Sequence, residues 1–150
     1  STKNYVGWIH ADNLNNLIFF DEIEEQKILT SDNVFIKGLR NEKREISEYF
    51  FTFFLSFFSS IVLRCKLNDI NAQPTIFNKR LLKKMSNIPN DFTIDLYVLY
   101  FAKKNQQIIK RINVFNEKRI HGESSWNRGL FSKVKLSLQY INYVLFGIKL

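Results

Sequence analysis

The stretch TIDLYVLYFAKKNQQIIKRINV, residues 93–114, changes its period halfway along. From Thr93 to Lys104, Ile94, Val98 and Phe101 fall in one row at helical spacing with Leu96, Leu99 and Tyr100 beside it, which predicts a substantially buried helix. From Gln107 to Val114 the isoleucines crowd together and predict a strand. A buried helix delivered straight into a strand is the repeating unit of an α/β fold.

Working outward, Tyr5 to Ile9 is β-branched and aromatic and stops at the polar cluster His10-Ala11-Asp12-Asn13, as a strand running into a loop does. Leu14 to Gln26 has the spacing of a surface helix, and Val34 to Lys37 reads as a second short strand closed by Gly38. Tyr49 to Leu63 reads as a long Phe-rich helix with Ser47 as its N-cap and Arg64 and Lys66 at its carboxyl end. A buried helix is the simpler reading of that stretch, and a face dipped into lipid is the alternative. At fifteen residues broken by Thr52, Ser56, Ser59 and Ser60, it falls short of the roughly 20 that a spanning helix needs.

Asn71-Ala72-Gln73-Pro74 is extended or turned, because proline restricts its predecessor, and Asn78 caps a short helix reaching Met85. Asn116 to Arg128 reads as a loop long enough to carry function. Leu130, Val134, Leu138, Ile141 and Leu145 mark one face of a closing helix. The expected fold is therefore α/β with a mainly parallel sheet flanked by helices, and polar loops after strands are where such sheets place ligands.

Size and composition fit one domain. The 150 residues are 45% apolar and 24% charged, with fifteen Phe and five Gly, which excludes a disordered chain. The net charge of +8 is unevenly placed: residues 1–60 carry six Lys/Arg against nine Asp/Glu, or −3, and residues 61–150 carry sixteen against five, or +11. The second part should attract an anionic partner, whether nucleic acid, acidic lipid or a phosphorylated substrate. The lone Cys65 offers no internal disulfide, no Cys/His spacing suits structural zinc, and the first residues lack the pattern of a secretory signal, all of which fits an intracellular compartment.

Five polar segments are candidates for chemistry. Asp12, just past a strand end, can hold Mg²⁺ or Mn²⁺ against a diphosphate, or simply cap the next helix. Arg40 in Lys37-Gly38-Leu39-Arg40 can grip a phosphate through two parallel donors, or lie solvated on the surface. Asn68-Asp69-Ile70-Asn71-Ala72-Gln73-Pro74 packs four hydrogen-bonding side chains into six residues, more than a plain turn calls for. Asp95 either favours its helix N-terminus or, facing a pocket, acts as a general base. Lys118 through Trp126 combines phosphate-binding cations with Gly122 and a capping Ser124. Within it, His121 alone is an ordinary surface histidine and Trp126 an ordinary packing anchor.

Taken in order, these segments resemble family 2 glycosyltransferases of the dolichyl-phosphate mannose synthase and polyprenyl-phosphate sugar transferase type. Those enzymes carry Asp-x-Asp after a strand, a strand ending Gly-Ser-Arg, Asp-x-x-Ser-Gly-Phe, an acidic Phe-x-x-Asp/Glu-Leu helix and Arg-x-x-Gly-x-Ser before a last helix. The counterparts are Ala11-Asp12, Gly38-Leu39-Arg40, Asp69 through Phe77, Phe92 through Leu96, and Arg119 through Ser124. Two departures stand out: His10 replaces the first metal-site aspartate, and Ala72-Gln73-Pro74 replaces Ser-Gly.

The resemblance implies that residues 1–150 are a single partial domain of the glycosyltransferase A fold, its acceptor-side portion, without the amino-terminal nucleotide-binding strands. It implies a nucleotide-diphosphate sugar as donor, and a polyprenyl phosphate or cell-surface glycan precursor as acceptor. Asp12 with His10 would hold Mg²⁺ or Mn²⁺. Arg40, Asn71, Gln73, Arg119 and Ser124 would bind substrate, and Asp69 and Asp95 would serve as catalytic carboxylates. The setting implied is cytoplasmic, peripheral on an anionic inner membrane face, with no nucleic-acid partner. Basic charge interleaved with aromatics keeps a nucleic-acid-binding or non-catalytic interaction module as the rival reading.

Overall fold

Val34-Phe35-Ile36-Lys37-Gly38 is buried without a break, as expected of a strand covered on both faces. The computed structural model, which describes residues 4–9, 18–25, 31–40, 46–114 and 130–148, makes this the heart of a four-stranded sheet. The elements in chain order are β1 (Tyr5–Trp8), α1 (Ile18–Glu25), β2 (Val34–Arg40), α2 (Ile46–Val62), β3 (Thr75–Asn78), α3 (Lys79–Leu82), α4 (Ile94–Lys104), β4 (Ile108–Val114) and α5 (Leu130–Asn142), which continues as a π-helical segment, Tyr143–Gly147.

The sheet order is β1-β3-β2-β4. Only β2 and β4 pair in parallel, while β3 lies between β1 and β2 and is antiparallel to both. The sheet is thus mixed, which corrects the expectation of a mainly parallel one. β3 is the strand the sequence reading lacks: four residues wedged between Pro74 and the Asn78 cap leave too little alternation to be seen. Because β3 reverses direction twice over, β1, β2 and β4 still run the same way, and their carboxyl ends share one edge of the sheet with the start of β3.

Strand alternation sorts the core into two layers. Phe35 and Phe77 point to one face, their rings stacked at 5.4 Å, and join Leu55, Leu96, Leu99, Leu136, Tyr140 and Val144 beneath α2, α4 and α5. Val34, Ile36 and Ile112 point the other way, against Ile23 of α1. The buried helix expected over 94–104 is present, with Leu96, Val98, Leu99 and Ala102 all at 1% exposure or less. Asn78 caps α3 as expected, its side chain accepting from the Arg80 amide, although α3 closes at Leu82 rather than Met85.

Gly38 lies inside β2 instead of ending it. Its amide donates to the Pro74 carbonyl at 2.9 Å, and a Cβ there would fall 2.3 Å from the Gln73 carbonyl oxygen. Close backbone approach, not a strand end, is what requires glycine. Helix α2 begins at Ile46, so Ser47 belongs to its first turn and not to its cap.

Two helix faces also differ from expectation. On α2 the buried residues are Leu55, Ser56 and Ser59, with Phe51 and Phe58 packed partly against the core, whereas Tyr49, Phe50, Phe53, Phe54, Phe57 and Ile61 are each at least half exposed. On α5 the buried row is Leu136, Tyr140 and Val144, four residues apart, while Val134, Leu138 and Leu145 face outward. Helix α2 is apolar nearly all round, and α5 carries apolar residues on more than one side among its Lys, Ser and Gln residues, so periodicity does not select the inner face. Polar anchoring does: the Tyr140 hydroxyl reaches Asn71 Oδ1, and the Ser60 hydroxyl bonds the backbone of Leu67.

Candidate functional site

Lys37 and Thr75 are direct partners across β2 and β3, on the face that carries Phe35 and Phe77. Both therefore point at the first turn of α4, where Asp95 sits. The lysine is fully buried, with Nζ 2.7 Å from Thr75 Oγ1 and 2.5 Å from Asp95 Oδ1. The Thr75 hydroxyl donates to the same Asp95 oxygen at 3.1 Å, and Gln73 Nε2 donates to Oδ2 at 3.3 Å. Asp95 is thus a buried carboxylate with both oxygens engaged.

Burial pushes Lys37 down from the ordinary lysine value of 10.5 to about 8; the charge and hydrogen bond of Asp95 oppose the fall, and Arg111 and Arg40 add to it. Between about 8 and 10.5 the unfolded chain holds a proton that the folded chain has released, so stability rises with pH across that window. Urea midpoints measured from pH 7.5 to 10.5 should show this rise, and Lys37→Met should remove it.

The segment before β3 supplies the next layer. Asp69 occupies a tight turn at φ 41°, accepts the Arg40 amide at 2.9 Å on Oδ2, and lies 3.3 Å from the Arg40 guanidinium Nε through Oδ1. Arg111 of β4 clips the same segment to the sheet, donating to the Gly38 carbonyl at 2.9 Å and to the Asn68 carbonyl at 2.6 Å. From α5, the Tyr140 hydroxyl is shared between Asn71 Oδ1, 2.6 Å away, and the Phe92 carbonyl. Burial first, and then the charge of Asp95, raises Tyr140 far above the ordinary phenol range, so it remains a neutral donor.

These groups surround a cavity of about 90 Å³ lined by Arg40, Phe51, Thr52, Asn71, Phe92, Asp95, Leu136 and Tyr140. It lies at the sheet edge where β1, β2 and β4 end. A phosphate or a hydroxyl-bearing head group fits such a space, which is smaller than the roughly 300 Å³ at which drug-sized ligand pockets begin. Arg40 contributes positive charge to the wall, Asn71 and Tyr140 polar groups, and Asp95 a fixed negative charge.

Five of the residues singled out from sequence meet here. Arg40, Asn71 and Asp95 line the cavity, Asp69 holds Arg40, and Gln73 bonds Asp95. His10, Asp12, Arg119 and Ser124 lie outside the described residues, as do Lys118 and His121. Among the described residues no group of three His, Cys, Asp or Glu side chains is placed to hold a metal ion.

Four neighbours of the candidate site escaped the sequence reading: Lys37, Thr75, Arg111 and Tyr140. Lys37 alone left a signal, a charge in the middle of the apolar run Val-Phe-Ile-Lys-Gly-Leu. Comparison with protein-family models, with curated proteins and with solved structures returns no match for the chain.

Proposed function

We propose that this chain is the acceptor-side part of a glycosyltransferase, passing a sugar from a nucleotide-diphosphate sugar to a membrane-associated, phosphate-bearing acceptor such as a polyprenyl phosphate. The observation that carries the reading is convergence. Arg40, Asp69, Asn71, Gln73 and Asp95, far apart in sequence and each in a polar segment, gather at one cavity on the strand-end edge of an α/β sheet. Ligands bind at such edges in open α/β folds. The four-stranded mixed sheet is read here as the corresponding part of a glycosyltransferase A fold.

The roles follow from the chemistry of each group. Arg40, its backbone amide fixed by Asp69, attracts the acceptor phosphate and lessens the repulsion between two anionic substrates. Asn71 and Tyr140 orient the head group. The oxygens of Asp95 are already engaged by Lys37, Thr75 and Gln73, an arrangement suited to holding Lys37 and the cavity wall in place more than to receiving a proton. A phosphate acceptor is ionised near neutral pH and needs no base, so this geometry favours phosphate over a sugar hydroxyl as the acceptor group. A divalent cation, if held by His10 and Asp12, would neutralise charge on the donor diphosphate.

Binding of farnesyl phosphate to the isolated chain, followed by calorimetry, tests the reading. Saturable binding should weaken about tenfold or more in Arg40→Ala, the worth of a charge-assisted hydrogen bond of roughly 1.5–3 kcal/mol. Absence of binding, equal affinity in the variant, or tighter binding of a single-stranded RNA oligomer would contradict it.

A further inference from the structure

The outward face of α2 is inverted with respect to a soluble helix. The helix turns inward the small hydroxyls of Ser56 and Ser59, which find no hydrogen-bond partner among the described residues, and turns outward six large apolar side chains. Along that face the rings of Tyr49, Phe53 and Phe57 stack at successive turns. Helix α5 and its π-helical continuation pack beside α2 and add Val134, Leu138, Leu145 and Phe146, the last 75% exposed. An apolar patch on this scale marks a contact with something apolar.

Charge identifies what that something is. Helix α2 carries one acid, Glu48, in its first turn; from Tyr49 to Lys66 and over residues 134–148 the charged side chains are Arg64, Lys66 and Lys135, all exposed and all positive. Lys103 adds a fourth cation at the carboxyl end of α2, its Nζ 2.5 Å from the Lys66 carbonyl. Asp91, which reaches α5 through Gln139, has its carboxylate occupied by Thr93 and Gln139. Aromatic and aliphatic side chains with cations past the carboxyl end of α2 and on α5 are the pattern of helices lying in the plane of an anionic leaflet. No helix among the described residues is long and apolar enough to cross a membrane.

From this face we infer a membrane-docking surface: α2 and α5 lie side by side in the headgroup region of an anionic bilayer, with Phe50, Phe53, Phe57 and Ile61 entering the acyl boundary. Phe51 and Thr52 of α2 and Leu136 and Tyr140 of α5 also line the cavity described above, so the docked face and the candidate site share two helices. The inference rests on the surface alone and stands or falls separately from sugar transfer.

Sedimentation of the intact chain with phosphatidylcholine vesicles, with and without one-third phosphatidylglycerol, tests it without any sugar nucleotide. Wild type should pellet with the anionic vesicles and partition at least about tenfold less onto neutral ones. Phe53→Ser with Phe57→Ser should keep the helical circular dichroism and lower partitioning about tenfold or more. Should that variant fail to fold, Lys66→Glu with Lys135→Glu, which leaves every apolar contact in place, should lower anionic partitioning by a similar factor. Folded wild type remaining in the supernatant, undiminished partitioning of the folded variants, or a stable dimer that Phe53→Ser with Phe57→Ser splits while vesicles bind neither form, would overturn the inference.

Discussion

Replacing Lys37 by Met, or Asp95 by Leu, should each destabilise the fold by about 3–5 kcal/mol, whereas the double replacement should recover most of that loss. The reason is the completeness of their burial. Lys37 is wholly inaccessible and Asp95 nearly so, and each satisfies the other at 2.5 Å. Removing the aspartate leaves an ammonium facing Thr75 with Arg40 and Arg111 nearby, and the lysine must surrender its proton to stay inside. Removing the lysine leaves a carboxylate supported, among the described residues, by Thr75 and Gln73 alone. Two apolar side chains of similar volume leave no orphaned charge, so the double variant should lie within about 1 kcal/mol of wild type. Urea unfolding of the four proteins gives the coupling directly. Additive losses would show that the pair does not act as a unit.

Gly38→Ala should cost about 3 kcal/mol, at the upper end of overpacking penalties, and lower Tm by about 10 °C in a chain of this length. Its added methyl would stand 2.3 Å from the Gln73 oxygen and 2.6 Å from the Gln73 carbonyl carbon, and both are backbone atoms that cannot swing aside. The segment from Asp69 to Pro74 must then retreat from β2. Because that segment carries Asp69, Asn71 and Gln73, the same substitution should weaken farnesyl phosphate binding as well as stability. A thermal melt and a binding isotherm on one preparation check both. Unchanged stability would mean that β2 and the segment before β3 do not approach as closely as described.

The layers of the fold that depend on local pattern were legible in the sequence, and those that depend on pairing were not. The β-branched and aromatic character of Tyr5–Trp8, the isoleucines of Ile108–Val114, the buried row of α4 and the Asn78 cap are all written locally. The direction of β3 is not, because four residues cannot announce an antiparallel neighbour. Nor is the inner face of α2: with aromatic residues all round, the decision falls to serines and to contacts far away in sequence. The same limit applies to the site. Arg40, Asp69, Asn71, Gln73 and Asp95 stand out as polar groups at the ends of apolar segments. Tyr140 looks like any tyrosine of an amphipathic helix until α5 folds back and its hydroxyl meets Asn71 and Phe92.

The Lys37 to Asp95 pair joins these levels. A lysine inside a strand core costs stability unless a carboxylate meets it, and that carboxylate comes from the first turn of the helix that covers the sheet. Fixing α4 in this way also fixes Phe92 and the cavity wall. Rigidity at the base of the site and adhesion at its rim are then separate devices, one polar and buried, the other apolar and exposed.

Chemical-shift mapping of farnesyl phosphate onto the ¹⁵N-labelled chain tests most directly whether the separated polar segments form one anion-receiving site. Saturable shifts should cluster on the amides of Arg40, Asn71, Gln73 and Phe92 and need about tenfold or more ligand in Arg40→Ala. Shifts scattered over α2 and α5 alone, or unaltered by that substitution, would show that the lipid is held by its tail on the apolar face and that the polar cluster receives nothing.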